Sequence, residues 1–247
     1  MEEIIKGYLK KVLTPQQKTG LKNVLSKFYS SDLNRLATLH GTDKWNRHWY
    51  TQHYQRHFRH LRKRRLNILE IGVGGYEYPD QGGESLRMWK HYFPHSMIYS
   101  IDIYDKSLLQ EKRIKIFKGS QVDENFLKDV FQQIGSLDII IDDGSHVNEH
   151  VVETFKILFP LLNQDGIYAV EDVQTSYWPN YGGDSENLNN PATMMNFLKG
   201  LTDCLNYEEL MRQGYEPSYF DKNIVAIHFY HNLVLINKGL NNEGSTR

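Results

Sequence analysis

Four acids in two short segments carry most of the chemistry this chain can offer. IDDGSH ends at His146 and EDVQTSYW opens at Glu171. Each follows an apolar run, LDIII and GIYAV, that reads as a buried parallel strand. In open α/β sheets, ligands gather at the carboxyl ends of the strands. Asp142, Asp143, Glu171 and Asp172 are therefore expected to converge on one crevice, with His146 at its lip. Carboxylates packed this closely repel one another and resist ionising unless a cation neutralises them. Oxygen ligands with an open face suggest Mg²⁺ more than Zn²⁺. Taken singly, each acid could equally cap a helix or stay solvated; the set of four with a histidine favours the metal.

A third segment supplies a second half-site. LNILEIGVGGYE is a strand running into Gly72, Gly74 and Gly75, where the backbone can turn tightly and approach a cofactor. A dinucleotide fingerprint would need glycine where Glu77 stands, so a pyrophosphate site fits poorly. MIYSIDIYD follows as a strand ending in Asp102, an acid placed to hold a pair of ribose hydroxyls. A glycine loop and a ribose acid without a pyrophosphate cradle point to S-adenosylmethionine, with Glu70, Gly72, Gly74 and Asp102 as its expected contacts. If strand alternation persists to the end, Asp142 points away from Asp143 and faces the methionine end of that donor. Tyr177 and Trp178 close the segment that opens on the second acid pair and could wall an acceptor pocket, as could Tyr50 and Tyr54, with core packing as the alternative for all four.

These residues need an α/β frame, and the chain predicts one. Strands are expected at about 66–72, 97–103, 113–118, 137–142 and 166–171, separated by helical segments. NIVAIHFYHNLVLINKG closes the chain as an antiparallel hairpin turning at His231-Asn232. Ahead of the strands, IIKGYLKKVL, LKNVLSKFY and LNRLATLHG have helical spacing. Ser31 or Asp32 is a candidate cap for the last of these, Gly41 its stop, and Ser85 a candidate cap for SLRMWKHYF.

Charge divides the chain more sharply than its net of −1 suggests. Residues 1–65 hold 15 Lys and Arg against 4 Asp and Glu, and the remainder holds 14 against 26. We therefore expect a basic helical N-terminal region over 1–65 and the S-adenosylmethionine-dependent domain over 66–247. The basic region suits docking against an acidic domain, its own or a neighbour's, so a homo-oligomer is expected. His53, His57 and His60 have helical spacing that could form a metal face, but Arg56, Arg59 and Arg62 among them would repel a cation. Cys204 is the only cysteine, which rules out an internal disulfide. No apolar run approaches about 18 residues, so a cytoplasmic protein that does not enter membranes is expected.

From Gly41 to Gly183 the sequence resembles the metal-dependent O-methyltransferases that modify sugars on macrolides and related natural products, the mycinamicin and tylosin tailoring type. The resemblance rests on GTDK at 41–44, YTQHYQRHF at 50–58, LEIGVGG, IDDGSH and EDVQTSYW. It implies a class I methyltransferase fold with a Rossmann-like seven-stranded sheet, S-adenosylmethionine as donor and Mg²⁺ at the acceptor hydroxyls. By position it implies Asp143, Glu171 and Asp172 as metal ligands and His146 as general base. Catechol O-methyltransferases are similar in layout: Asp143, His146 and Glu171 keep their acid–base–acid spacing, and GSQ at 119–121 places Ser120 and Gln121 at the adenine. The implied partner is a small glycoside acceptor. The alternative is a tailoring methyltransferase for a non-sugar hydroxyl or carboxyl group, such as a phenol or peptide. Amino-group methylation of nucleic-acid bases would call for an NPPY-like tetrad after the fourth strand, where IDDGSH stands.

Overall fold

The computed structural model describes residues 14–245; the helix expected over IIKGYLKKVL lies outside them. Three helices come first: α1 Pro15–Phe28, α2 Leu33–His40 and α3 Thr51–Phe58. Asp32 is the cap of α2, its carboxylate accepting from the Arg35 amide at 3.0 Å, and Gly41 ends the helix at φ 85°. The end of α2 is fixed by residue type: a left-handed position costs glycine little.

Seven strands follow: β1 Asn67–Ile71, β2 Met97–Asp102, β3 Ile114–Lys118, β4 Leu137–Asp142, β5 Leu162–Glu171, β6 Ile224–Tyr230 and β7 Leu233–Lys238. They form one sheet in the order β3-β2-β1-β4-β5-β7-β6, with β7 antiparallel to β5 and to β6 and the other pairs parallel. This is the seven-stranded class I methyltransferase sheet that the sequence predicts, closed by its hairpin at His231-Asn232. The order in which strands are added reverses between the parallel neighbours β1 and β4, so the crevice opens over their carboxyl ends. Helices α4 Glu84–Tyr92, α5 Glu124–Ile134, α6 Asn148–Leu158, α7 Met194–Cys204 and the short α8 Tyr219–Asn223 complete the domain. Ser85 is not the cap of α4: Gly83 holds that position at φ 77°, and the Ser85 hydroxyl donates to Glu70 instead, at 2.9 Å.

The sheet is covered on both faces. One apolar cluster joins Leu69, Ile140 and Val170 to Phe155, Leu158 and Leu198 of the helices. The other joins Ile68, Ile139 and Ala169 to Trp89 of α4 and also to Leu33, Leu36, Tyr54, Phe58 and Leu61. The charge boundary near 65 is therefore not a packing boundary. Residues 33–61 are built into the same core as the sheet, and this carries their loop to the strand ends. On the outer side of that contact, His53 and His57 pack on Tyr230 and His228 of β6, with ring centroids 3.9 and 4.5 Å apart. The histidine face is thus a ring-packing contact beside the hairpin.

Candidate active site

A crevice of about 890 Å³ lies over the carboxyl ends of β1, β2 and β4. Its donor side is made from loops that directly follow strands. At Gly72, φ is 92° and a Cβ would run into the Asp143 carbonyl oxygen, so glycine lets the β1 and β4 loops touch. The Asp102 carboxylate accepts from the amides of Val73 at 2.9 Å and Tyr104 at 2.8 Å. A carboxylate has about four acceptor positions, which leaves capacity toward the crevice it lines. Gly72, Gly74, Ser120 and Gln121 line the same space. The Gln121 amide, however, is used inward: it donates to Asp142 and Thr154, and its oxygen accepts from the Ser145 amide at 2.8 Å.

Asp142 and Glu70 stand behind this wall rather than in it. Asp142 is 1 % exposed, accepts from Gln121 and the Gly144 amide, and lies 3.5 Å from the Tyr168 hydroxyl. Burial pushes its carboxyl up to about 7. Strand alternation thus turned Asp142 away from Asp143, as expected, but into the protein instead of toward a methionine group. Glu70 is fully buried between Ser85 and Lys44.

The acid side is held by side chains from far along the chain. His146 Nε2 lies 4.0 Å from Asp143 Oδ1 and 3.7 Å from Asp172 Oδ2, and all three residues face the crevice. His146 and Asp172 both adopt left-handed backbone, at φ 56° and 53°. Such positions cost a non-glycine residue on the order of 1–2 kcal/mol. The Thr175 hydroxyl braces both, lying 2.8 Å from the His146 carbonyl oxygen and 3.1 Å from that of Asp172. Asp172 also accepts from the Tyr50 hydroxyl at 2.6 Å. Burial alone would raise its pKa, but the Tyr50 hydrogen bond and the neighbouring His146 outweigh it and hold the carboxyl below its usual value.

Glu171, expected as a metal ligand, is turned the other way. It is 2 % exposed and its two oxygens accept from Lys44 Nζ at 2.7 Å and the Tyr54 hydroxyl at 2.6 Å. As consecutive residues at the end of β5, Glu171 and Asp172 go to opposite sides, Glu171 inward and Asp172 to the crevice. Tyr50 and Tyr54 are likewise not pocket walls: they are 1 % and 0 % exposed and lie under the acids. Tyr177 points to solvent without lining the crevice, whereas Trp178 lines it.

Sequence reasoning missed two residues here and offered a third, Lys44, only as a polar loop residue of GTDK suited to a supporting role. Lys44 makes ion pairs with Asp143, Glu171 and Glu70 at 2.6, 2.7 and 3.2 Å. His48 lines the crevice with Nδ1 3.5 Å from Asp172 and its ring stacked on Tyr50. Gln174 lines it too, and its buried Oε1 has no hydrogen-bond partner. GTDK gave a signal for Lys44 and EDVQTSYW for Gln174, whereas His48 lies outside every motif.

No family model matches the chain. Sequence relatives are nonetheless close. The chain is 47 % identical over 215 residues to demethylmacrocin O-methyltransferase of Streptomyces fradiae, covering 86 % of this chain and 54 % of that protein. It is 45 % identical over 215 residues to mycinamicin VI 2''-O-methyltransferase of Micromonospora griseorubida, again covering 86 % and 54 %. Its close relatives are sugar O-methyltransferases. The MycE methyltransferase of the mycinamycin pathway, solved in complex with Mg and SAH, superposes with a TM-score of 0.84 at 45 % identity, over 86 % of this chain and 55 % of that one. The chain spans about half the length of the relatives it matches.

Proposed function

We propose that this chain carries the catalytic fold of a Mg²⁺-dependent methyltransferase that moves a methyl group from S-adenosylmethionine to a sugar hydroxyl of a glycosylated natural product. One observation carries the reading: His146 stands between two crevice-facing carboxylates, beside a glycine-and-Asp102 donor floor. The names of the relatives supply the acceptor class. The donor set fits a hard divalent cation, because Asp143 and Asp172 present oxygens to open space within 4.8 Å of a histidine nitrogen. On this reading Asp143 and Asp172 hold the ion, and Glu171 reaches it only in exchange with Lys44.

When bound, Mg²⁺ would supply Lewis acidity toward an acceptor oxygen. S-adenosylmethionine would supply an already activated methyl group. The remaining work falls to the protein. Asp102 and the 72–76 loop orient the donor. His146 Nε2 takes the acceptor hydroxyl proton, and the flanking carboxylates stabilise the resulting imidazolium. Trp178 offers the sugar an apolar face. The proposal includes a cytoplasmic location and self-association, the latter because residues 1–65 carry 15 basic against 4 acidic residues while the remainder carries 14 against 26. No helix among the described residues is long and apolar enough to cross a membrane.

The test is methyl transfer from labelled donor to a panel of macrolide glycosides with a free sugar hydroxyl, alongside simple phenols. Transfer to a glycoside that a chelator stops and Mg²⁺ restores is the expected result. Metal-independent turnover, or turnover confined to phenols, would overturn it.

A further inference from the structure

The acids of the crevice form two cation nests that share one residue. On the open side Asp143, His146 and Asp172 each bring a ligand atom within 4.8 Å of the others, and on the buried side Glu70, Asp143 and Glu171 do the same. Asp143 belongs to both. Its Oδ1 faces His146 Nε2 at 4.0 Å, while its Oδ2 meets Lys44 Nζ at 2.6 Å. Two-metal sites hold their ions about 3.5–4 Å apart, and a carboxylate giving one oxygen to each side suits such a pair.

Here the inner position already holds a charge. Lys44 Nζ lies within 3.2 Å of all three inner acids, and its side chain is 1 % exposed. Burial works against an ammonium, but Asp143, Glu171 and Glu70 together outweigh it and hold Lys44 charged. Its ammonium donates to Asp143 Oδ2 and Glu171 Oε2, while Glu70 Oε1, 3.2 Å away, is held by charge without a hydrogen bond. The Tyr54 hydroxyl takes the remaining oxygen of Glu171. Unlike a metal ion, this cation cannot dissociate.

We propose that Lys44 is the resident cation of the inner nest, restricting the chain to one divalent ion and fixing Asp143 so that Oδ1 faces the crevice. Lys44 acts through Asp143 and is a positioning residue. The inference rests on the reading of Asp143 and Asp172 as metal ligands.

The experiment is Mn²⁺ titration of the full chain, without donor or acceptor, followed by calorimetry and electron paramagnetic resonance. Wild type should bind one ion. Lys44→Met should bind two, with the exchange-coupled spectrum of a neighbouring pair, which a merely structural lysine would not produce. A second measurement does not depend on the variant folding. In wild type labelled with ¹⁵N-lysine, the Lys44 ammonium should remain in slow exchange with solvent both before and after Mg²⁺ is added. Two ions in wild type, a Lys44 ammonium released to fast exchange by Mg²⁺, or one ion at unchanged affinity in Lys44→Met would overturn the proposal. If wild type binds no ion while Lys44→Met binds one, Lys44 keeps its place and the metal reading of the outer nest falls.

Discussion

The two sides of the crevice are built in opposite ways. The donor side comes from loops at the ends of β1, β2 and β3, within residues 72–121, and much of it is backbone or side chains tied to nearby backbone. Asp102 is fixed by the amides of Val73 and Tyr104, 29 and 2 residues away. The acid side is fixed by bonds between side chains at long separations. Lys44 meets Asp143 and Glu171 across 99 and 127 residues, and Tyr50 meets Asp172 across 122. A site of the first kind survives wherever its strand order survives. The second exists only while the segment from 42 to 54 stays packed on the sheet, so its integrity depends on the basic N-terminal helices.

Damage at the two sides should therefore separate donor binding from chemistry. The largest effect is expected at His146. Losing general-base catalysis costs roughly 10²–10⁴-fold, so His146→Ala should lower single-turnover methyl transfer by that factor while donor affinity, read by calorimetry, stays within about twofold. A folded variant with full donor occupancy and an undiminished rate would remove His146 from the chemistry.

The same division explains what the sequence could reveal. The strands, the terminal hairpin and the glycine loop were legible because they depend on local periodicity and on loops that follow strands directly. Residue types also flagged Asp143, His146 and Asp172, which the fold brings to one opening. Orientation was the difficulty. Nothing local says that the second acid of IDD faces the crevice and the first is bound to Gln121, or that Glu171 turns to Lys44 while Asp172 turns outward. Those directions are set by Tyr50, Tyr54 and Lys44, whose distance from the acids in sequence hides the contact. Aromatic residues beside a motif suggested pocket walls, whereas the core drew Tyr50 and Tyr54 beneath the acids and left their hydroxyls as donors.

His40 tests whether the acid side depends on the N-terminal packing. It ends α2, just before the loop carrying Lys44, and it is 5 % exposed, bonded to Ser26 at 3.1 Å and stacked on His91. Burial, followed by Lys22 and other nearby cations, lowers its pKa from 6.5 to about 3. A depressed histidine contributes stability that is complete above its unfolded pKa and is lost as pH falls toward the folded value. Stability should therefore drop between pH 6.5 and about 3, by roughly 2–3 kcal/mol at pH 4. Urea unfolding at pH 7 and pH 4 should show a smaller difference in His40→Leu than in wild type; equal differences would rule out His40 as the acid-sensitive anchor.

On the donor side, Asp102→Ala removes a charged acceptor expected at the ribose. The loss should be about 1.5–3 kcal/mol of donor affinity, with Mn²⁺ affinity unchanged. Weakened metal binding in this variant would mean that the two sides are coupled and would end the separation drawn above.

The smallest effect, and the sharpest distinction, is expected from Tyr50→Phe. The ring is buried and stacked on His48, so removing only the hydroxyl should leave the fold intact. What disappears is the 2.6 Å bond to Asp172 Oδ1, one of the contacts that hold this carboxyl below its ordinary pKa. A net hydrogen bond is worth about 0.5–1.5 kcal/mol, and Asp172 keeps His48 and His146 nearby. Mn²⁺ affinity should fall by about threefold to tenfold, most strongly at low pH, where the relaxed carboxyl holds its proton longer. The KM for acceptor at saturating metal should change little, because the Tyr50 hydroxyl is directed at the acid and not at the crevice. If acceptor KM rises while metal affinity holds, Tyr50 touches substrate after all, and the acid side must open further in the loaded enzyme than the buried Tyr50 contact allows.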